Sequence, residues 1–456
     1  MEGIQYFFNP STVAVVGASS KPGKIGHECF KNMIIGNFKG KVYPINPSVS
    51  EVLGVKSYPN IEDVPENIDL VIYALPAKDS VLIFNQFKKK SVKAVIIISG
   101  GFREFSENGI VLEEEILRIA KRDGFRIIGP NCVGVYDSFS GVDSLFQPYE
   151  RLPRPRKGNI AVVSQSGTFA VTFMDWASEE NVGISKVVSV GNRADVDEAE
   201  LIEFLDNDPN TKVIALYVES FTDGRRLVKS IKNCSKPITV LLASKSSFGA
   251  KVAKSHTGRI ASNYLVAKDA IEYAGAIITD DLQQFYDITK SVSLSNSFVG
   301  KNAIMITNGA GPCVIAADLI QEYNLNLVEP SNVFRNTLKE HLPSYAIIDN
   351  PIDLTGSATS KDFLNAIKVC DNSLEIDIIL LFIVFQDVPL EDDFVKQLAK
   401  NKPRKPIFVF AAGGQYVREK FRILHEVNIP AFQNVRNLVK SIATIIDLTE
   451  NGKLVI

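Results

Sequence analysis

Short apolar runs recur along the chain, each closed by small or turn-forming residues and followed by a stretch with helical spacing. In the first third they are VAVVGA (13–18), KVYPINP (41–47), LVIYALP (70–76), AVIIISGG (94–101) and RIIGPN (126–131). Runs that are apolar at nearly every position predict strands buried on both faces, and hence a parallel sheet covered by helices. Residues 136–159 break the rhythm, and LPRPRKGN (152–159), rich in Pro, Arg and Gly, reads as a linker. A second alternation follows through IAVVSQSG (160–167), SKVVSVGN (185–192), VIALYVES (213–220) and PITVLLAS (237–244). SLSNSFVGKN (293–302) reads as a junction to a third set, AIMITNGAG (303–311), IDIILLFIVF (376–385) and PIFVFAAGG (406–414). The pattern predicts an α/β protein of three doubly wound units with mainly parallel sheets, at 1–150, 151–296 and 297–456. Such sheets bind ligands at the carboxyl ends of their strands. Every motif discussed below falls at such an end.

Composition narrows the partners. A chain of 456 residues is too long for one ordinary core. Its formal net charge of −2 argues against nucleic acid or an anionic membrane surface as the main partner. No run is long enough to span a membrane, and MEGIQYFFNP lacks a signal-peptide layout, so a soluble cytoplasmic protein is expected. The cysteines, Cys29, Cys132, Cys234, Cys313 and Cys370, form no CxxC pair. Neither a zinc site nor a disulfide framework is indicated, and no protein-held metal is expected.

VAVVGASSKPGKIGHECF reads as strand, Gly-rich turn and helix. Gly17, Gly23 and Gly26 allow close backbone approach, and the helix start directs amides at an anion. The spacing is not G-x-G-x-x-G, and Asn46 stands where a NAD site wants Asp or Glu. Lys21 and Lys24 suit a phosphate-rich ligand, whereas a bare Gly-rich turn is the plainer alternative. In the second set, SQSG leads a strand into a helix, where Ser164, Ser166 and Thr168 with the amides of 165–168 could hold a tetrahedral anion. A well-capped helix is the alternative; a nucleophile elbow is not met, because Val163 stands at its first glycine position. Asn131 in GPNCVG can donate and accept, while Cys132 reads as a small buried hydrophobe.

One of the four histidines, His256, lies in the polar stretch AKSHTGRIAS (253–262), between Gly249 and Gly258. No second metal-ligating side chain accompanies it there. A neutral imidazole can attack phosphorus when a carboxylate holds its other nitrogen, and Glu219 at the end of VIALYVE is the candidate partner. A merely solvated histidine is the alternative. His27, His341 and His425 match no motif and read as structural or surface residues.

Taken in order, VAVVGASSKPGKIG, VYPINP, ALPA, ISGGF, GPNCVG, SQSG, SVGNRADVDE, YVES and SHTG resemble the alpha subunit of ADP-forming (NDP-forming) acyl-CoA synthetases. Acetate–CoA ligase (ADP-forming) is the type of that group, and the front portion is also similar to the succinyl-CoA synthetase alpha subunit. ITNGAGP (306–312) and NPIDLTG (350–356) continue the likeness and favour the ADP-forming group. The resemblance implies a Rossmann-like CoA-binding domain, a flavodoxin-like ligase domain with a phosphohistidine loop, and a second flavodoxin-like domain. It implies a CoA site at Gly17, Ala18, Ser19, Ser20, Lys21, Asn46, Ser99, Gly100 and Gly101. Asn131, Ser164, Ser166 and Gly167 would hold phosphate or acyl phosphate, His256 would be phosphorylated, and Glu219 would orient it. It further implies an ATP-grasp beta subunit carrying ADP or ATP with Mg²⁺, in an α2β2 assembly, since the chain has no G-x-x-x-x-G-K-[ST]. Leu242, Ala243, Ser244 and Lys245 before the loop, and Arg259, Ile260, Ala261 and Ser262 after the histidine, depart from the family pattern. A succinyl-CoA synthetase-like ligase for a dicarboxylic acid and a non-catalytic CoA-binding regulatory protein are the alternatives.

Overall fold

A computed structural model describes residues 3–249, 251–252 and 263–454. The first sheet contains β1 (Thr12–Val16), β2 (Lys41–Ile45), β3 (Leu70–Tyr73), β4 (Ala94–Ile97) and β5 (Arg126–Ile128), in the order β2-β1-β3-β4-β5 and parallel throughout. Its strands are buried on both faces, as the apolar runs require. Val13 and Val15 enter one core cluster, while Ala14 and Val16 enter another on the opposite face. Pro44, which has no amide to donate, is accommodated because β2 is an edge strand.

The second sheet repeats the order. β7 (Lys157–Ser164), β8 (Ile184–Ser189), β9 (Val213–Val218), β10 (Ile238–Leu242) and β11 (Ile277–Thr279) run β8-β7-β9-β10-β11, all parallel. A further strand, β6 (Val135–Asp137), pairs antiparallel with β8 at the edge. This corrects the reading of 136–159 as a plain break: its two ends are strands of the second sheet, and the Pro–Arg stretch spans only part of the link. In both sheets the order reverses beside the first long strand, between β1 and β3 and between β7 and β9. Open α/β sheets place their ligand crevice at that switch point.

The two sheets share a continuous core in which Val15, Ile72 and Ile96 belong with Val163, Leu216 and Val240. They are also stitched along β5. The Ala194 and Val196 amides donate to the Gly129 and Ile127 carbonyls. Arg126 forms paired bonds of 2.7–3.0 Å to Asp195 and Glu200, and the two carboxylates hold its guanidinium firmly protonated.

A third sheet is built around Asn302–Thr307, with Ile378–Phe382, Ile407–Phe410 and Ala431–Phe432 on one side. The two short strands Asn326–Leu327 and Ile352–Asp353 pair with its other side. Two compact units result: residues 1–178 with 183–281 contain the first two sheets, and 179–182 with 282–456 contain the third. The helix Leu282–Leu294 therefore packs with the third sheet's unit, against Val435–Glu450. Among the described residues no helix is long and apolar enough to cross a membrane.

Candidate functional site

The turn after β1 is shaped by two glycines and two side-chain hydrogen bonds. Gly17 has φ +90°, a left-handed conformation, and a Cβ there would lie 2.9 Å from Leu75. Helix α1 (Ile25–Ile35) presses on the turn so closely that a Cβ on Gly26 would sit 2.0 Å from the Gly17 carbonyl oxygen. Asn46 Nδ2 donates to the Ala18 carbonyl at 2.7 Å, and His27 Nδ1 donates to the Ser19 carbonyl at 2.7 Å. An aspartate at 46 could not make the first bond, which gives a physical reason for the amide there. Ser20 and Lys21 are exposed, and Ala18 is buried.

Five of the other predicted residues, Ser99, Gly100, Asn131, Ser166 and Gly167, converge elsewhere, while Gly101, Ser164 and Glu219 do not line the same cleft. A cleft of about 360 Å³ opens where the carboxyl ends of both sheets meet, lined by Ser99, Gly100, Asn131, Ser166, Gly167 and Thr168. Ile25 at the start of α1 reaches it as well, so the β1 turn lies one helix start away without lining it. Asn131 adopts φ +59° and its amide donates to the Ser99 carbonyl at 3.0 Å. Helix α2 (Gly167–Glu179) begins against this turn, and a Cβ on Gly167 would lie 2.4 Å from Val133. Phe169 donates its amide to Ser166 Oγ at 3.5 Å and Ala170 to the Ser166 carbonyl at 3.2 Å, and the helix start, with Gly167 and Thr168, lines the cleft. Among the described residues lining the cleft none is Lys, Arg or His. A phosphate here would be held by backbone dipoles and neutral side chains.

Ser164 is placed differently from expectation. It is fully buried, and its hydroxyl donates to the Ser166 carbonyl at 2.7 Å and accepts the Ser166 amide at 3.2 Å. It braces the turn from below and does not line the cleft.

The residue between the serines, Gln165, was quoted within the motif but given no role by sequence reasoning. It is buried, and its amide is saturated. Nε2 donates to Glu198 at 2.6 Å and to the Ser220 carbonyl at 2.8 Å. Oε1 accepts the amides of Glu219 at 2.8 Å and Ser220 at 3.1 Å. Arg193 closes the cluster with bonds to the Ser220 carbonyl and hydroxyl at 2.7 and 2.6 Å, and it lies 3.3 Å from Glu198. The anion turn and Glu219 are thus held in fixed register by one side chain. The signal that could have found it is SVGNRADVDE, which places Arg193 and Glu198 at the end of the neighbouring strand. Glu219 itself is half-buried, and Tyr217, whose ring stacks on Phe169 with centroids 4.1 Å apart, bonds to it through its hydroxyl. Burial and that carboxylate together push the Tyr217 phenol up. Gly101 and its neighbour Phe102 donate to Glu104 Oε1, whose other oxygen accepts from Asn192 at 2.5 Å.

His256, Gly258, Arg259, Ile260, Ala261 and Ser262 lie outside the described residues. Ser244, two residues past the end of β10, has φ +67°, and its hydroxyl donates to the Glu219 carbonyl at 3.5 Å. The other histidines are structural or exposed. His425 donates through Nδ1 to Glu180 and accepts the Ala431 amide at Nε2, and burial with nearby Lys290 pushes it down to about 3. His341 is exposed. All five cysteines are free and buried, and burial pushes the Cys132 thiol, at the back of the cleft, up to about 12.

Two known families match in tandem: a CoA binding domain over residues 11–138 and a succinyl-CoA ligase like flavodoxin domain over 157–292. The acetate–CoA ligase [ADP-forming] I subunit alpha of Pyrococcus furiosus is 34% identical over 97% of both chains. The chain belongs to the ADP-forming acetate–CoA ligases, as an alpha subunit. An ADP-forming acetate–CoA ligase of Archaeoglobus fulgidus is also 34% identical over 97% of this chain, which spans 63% of that longer protein. Among solved structures, a dinucleotide-forming acetyl-coenzyme A synthetase 1 of Ca. Korarchaeum cryptofilum, in complex with phosphate and ADP, aligns with a TM-score of 0.88. It is 32% identical and the match covers 99% of this chain and 97% of that one. The likeness of this ligase extends across all three sheets. A succinate–CoA ligase alpha subunit of Methanothermobacter thermautotrophicus aligns with only half of the chain, at 26% identity.

Proposed function

We propose that this alpha subunit binds CoA at the β1 turn and converts acyl-CoA and phosphate to free acid and CoA, conserving the phosphoryl group on His256. The residues fit CoA: the turn is closed to a side chain at Gly17 and Gly26, opens a helix N-terminus, and carries the exposed Lys21 and Lys24 beside it. Asn46 braces that turn through the Ala18 carbonyl, and Ser99–Gly101 after β4, the first two of which line the cleft, would complete the CoA site. Phosphate would sit at the Gly167 and Thr168 amides with Ser166 and Asn131 beside it. A phosphate oxygen attacks the thioester carbonyl carbon, the C–S bond breaks, and CoA leaves as thiolate. An imidazole nitrogen of His256 then attacks phosphorus, the P–O bond to the acyl oxygen breaks, and the carboxylate leaves. Glu219 would accept a hydrogen bond from the N–H of the other ring nitrogen and balance the positive charge that develops on the ring.

The phosphoryl group must then reach ADP, and the proposed acceptor site is on a beta subunit of ATP-grasp type that also carries Mg²⁺. An α2β2 assembly in the cytoplasm goes with that reading. The observation that carries it is the cleft itself, where Ser99–Gly100 after β4 and Asn131 after β5 meet Ser166–Thr168 at the β7 switch point, with Glu219 tied to that turn through Gln165. Incubating the chain with acetyl-CoA and labelled phosphate should leave acid-labile, base-stable label. His256→Ala should remove it while CoA binding persists in calorimetry. Normal labelling of that variant would overturn the assignment.

A further inference from the structure

Three buried oxygens around helix α1 have no hydrogen-bond partner among the described residues: Glu28 Oε2, Asn32 Oδ1 and Gln147 Oε1. Glu28 and Asn32 stand one turn apart on the helix, 9% and 0% exposed. Asn32 adjoins the third member, because its Nδ2 donates to the Leu145 and Gln147 carbonyls at 2.7 and 3.0 Å. Both amide protons are thereby committed, which fixes Oδ1 as a bare acceptor. The Glu28 carboxylate has no ion pair among the described residues. Cations on the adjoining segments are engaged elsewhere, Lys31 with Glu150 at 2.9 Å and Arg154 with Asp143 at 2.7 Å. A carboxylate buried in this way is costly unless a positive charge meets it. A water molecule has two protons and cannot satisfy three acceptors. A single cation can.

We infer that Glu28, Asn32 and Gln147 bind a monovalent cation of the potassium class, which pins the first turns of α1 to the segment 145–147. One carboxylate and two amide oxygens carry a single formal charge. Magnesium holds on to several of its waters and calcium takes about six to eight oxygens, so neither suits a buried trio with one charge. Carbonyl oxygens that replace a hydration shell suit potassium. No group of His, Cys, Asp and Glu among the described residues could hold a metal ion, and two of these three oxygens belong to amides, so the sequence gave no sign of the site. The same carboxylate also reaches the β1 turn, since Glu28 Oε1 accepts the Gly23 amide at 2.9 Å. Occupancy of the site is therefore linked to the shape of that turn.

The test exchanges the full chain into tetramethylammonium chloride and follows thermal melting as KCl replaces that salt at constant ionic strength. The midpoint should rise by about 3 °C and saturate, as for a ligand that binds only the folded chain. Glu28→Gln should abolish the rise, since the amide brings donors of its own to the neighbouring oxygens. Gln147→Leu, at a half-buried position, should keep the fold and need about tenfold more KCl for the same rise. Crystals soaked in thallium(I) should show an anomalous peak among the three oxygens. Melting indifferent to KCl, a rise unchanged in both variants, or an ordered water in place of the thallium peak would each overturn the inference. One further arm rests on the function proposed above: CoA should bind about fivefold tighter in KCl than in tetramethylammonium chloride. Equal CoA affinity in the two salts would overturn the link to the β1 turn. CoA binding absent from both would overturn that function instead, and the melting arm would still decide the cation.

Discussion

The β1 turn and the β7 turn are the same device at the same topological position, yet they are held in different ways. After β1, the chain is fixed by glycine geometry and two bonds of 2.7 Å, from Asn46 and His27, while Ser20 and Lys21 remain exposed. After β7, a buried cluster of Gln165, Arg193, Glu198 and Ser164 leaves almost no freedom. On the proposed function, the first turn would recognise a cofactor, which water-facing groups can do. The second would hold the reacting phosphate, for which a desolvated and fully bonded shell supplies fixed dipoles.

The strongest way to break the contrast is Gln165→Glu. It puts a second carboxylate where the amide donated to Glu198 at 2.6 Å, so phosphoryl labelling should fall roughly a hundredfold and stability by about 2–4 kcal/mol. CoA affinity should change little. Adding Glu198→Gln restores one carboxylate and one amide, and labelling should return at least tenfold if position and not mere folding is at stake. Gly26→Ala is the corresponding break at the first turn. Its Cβ would meet the Gly17 oxygen at 2.0 Å, so calorimetry should show CoA affinity reduced by more than tenfold and thermal melting a loss of about 2–3 kcal/mol.

Asn46→Asp sharpens the comparison at lower amplitude. It trades a donor to Ala18 for a lone pair, and should weaken CoA about five- to tenfold without creating NAD binding. Lys21→Ala should be smaller still, about two- to threefold, and the difference should vanish in high salt because the side chain is exposed. Least affected of all should be alkylation. With its thiol pushed up to about 12, Cys132 stays protonated at pH 8 and should resist iodoacetamide over hours in the folded chain.

The family reading and the α/β class were legible because their evidence is local: apolar runs, closing turns and ordered motifs. All of β1 but Thr12 lies inside VAVVGA, and the start of α2 is the Gly of SQSG. What escaped was non-local. Three residues, Val135–Asp137, have no period of their own, and only pairing with β8 makes them a strand. Ser164 and Gln165 look alike in sequence as polar residues of one turn. Burial decides that the first braces the backbone and that the second ties the turn to Glu219, through partners 33 and 55 positions away. The placement of Leu282–Leu294 with the third sheet was equally hidden, since its packing against Val435–Glu450 spans more than a hundred residues.

The ribbon formed by Ala194–Val196 along β5 has a consequence for how the edge of the first sheet is protected. A parallel strand at the margin of a sheet offers amides and carbonyls to any extended segment that drifts past, including the same strand of another molecule. Here Ile127 gives its amide to Asp195 and its carbonyl to Val196, and Gly129 gives its carbonyl to Ala194. The margin is therefore occupied by a piece of the neighbouring sheet's own connection. Until that connection has been synthesised, some seventy residues after β5, the strand is adhesive. Truncation before residue 194 would leave it so permanently, and such a fragment should self-associate through β5 where the full chain does not.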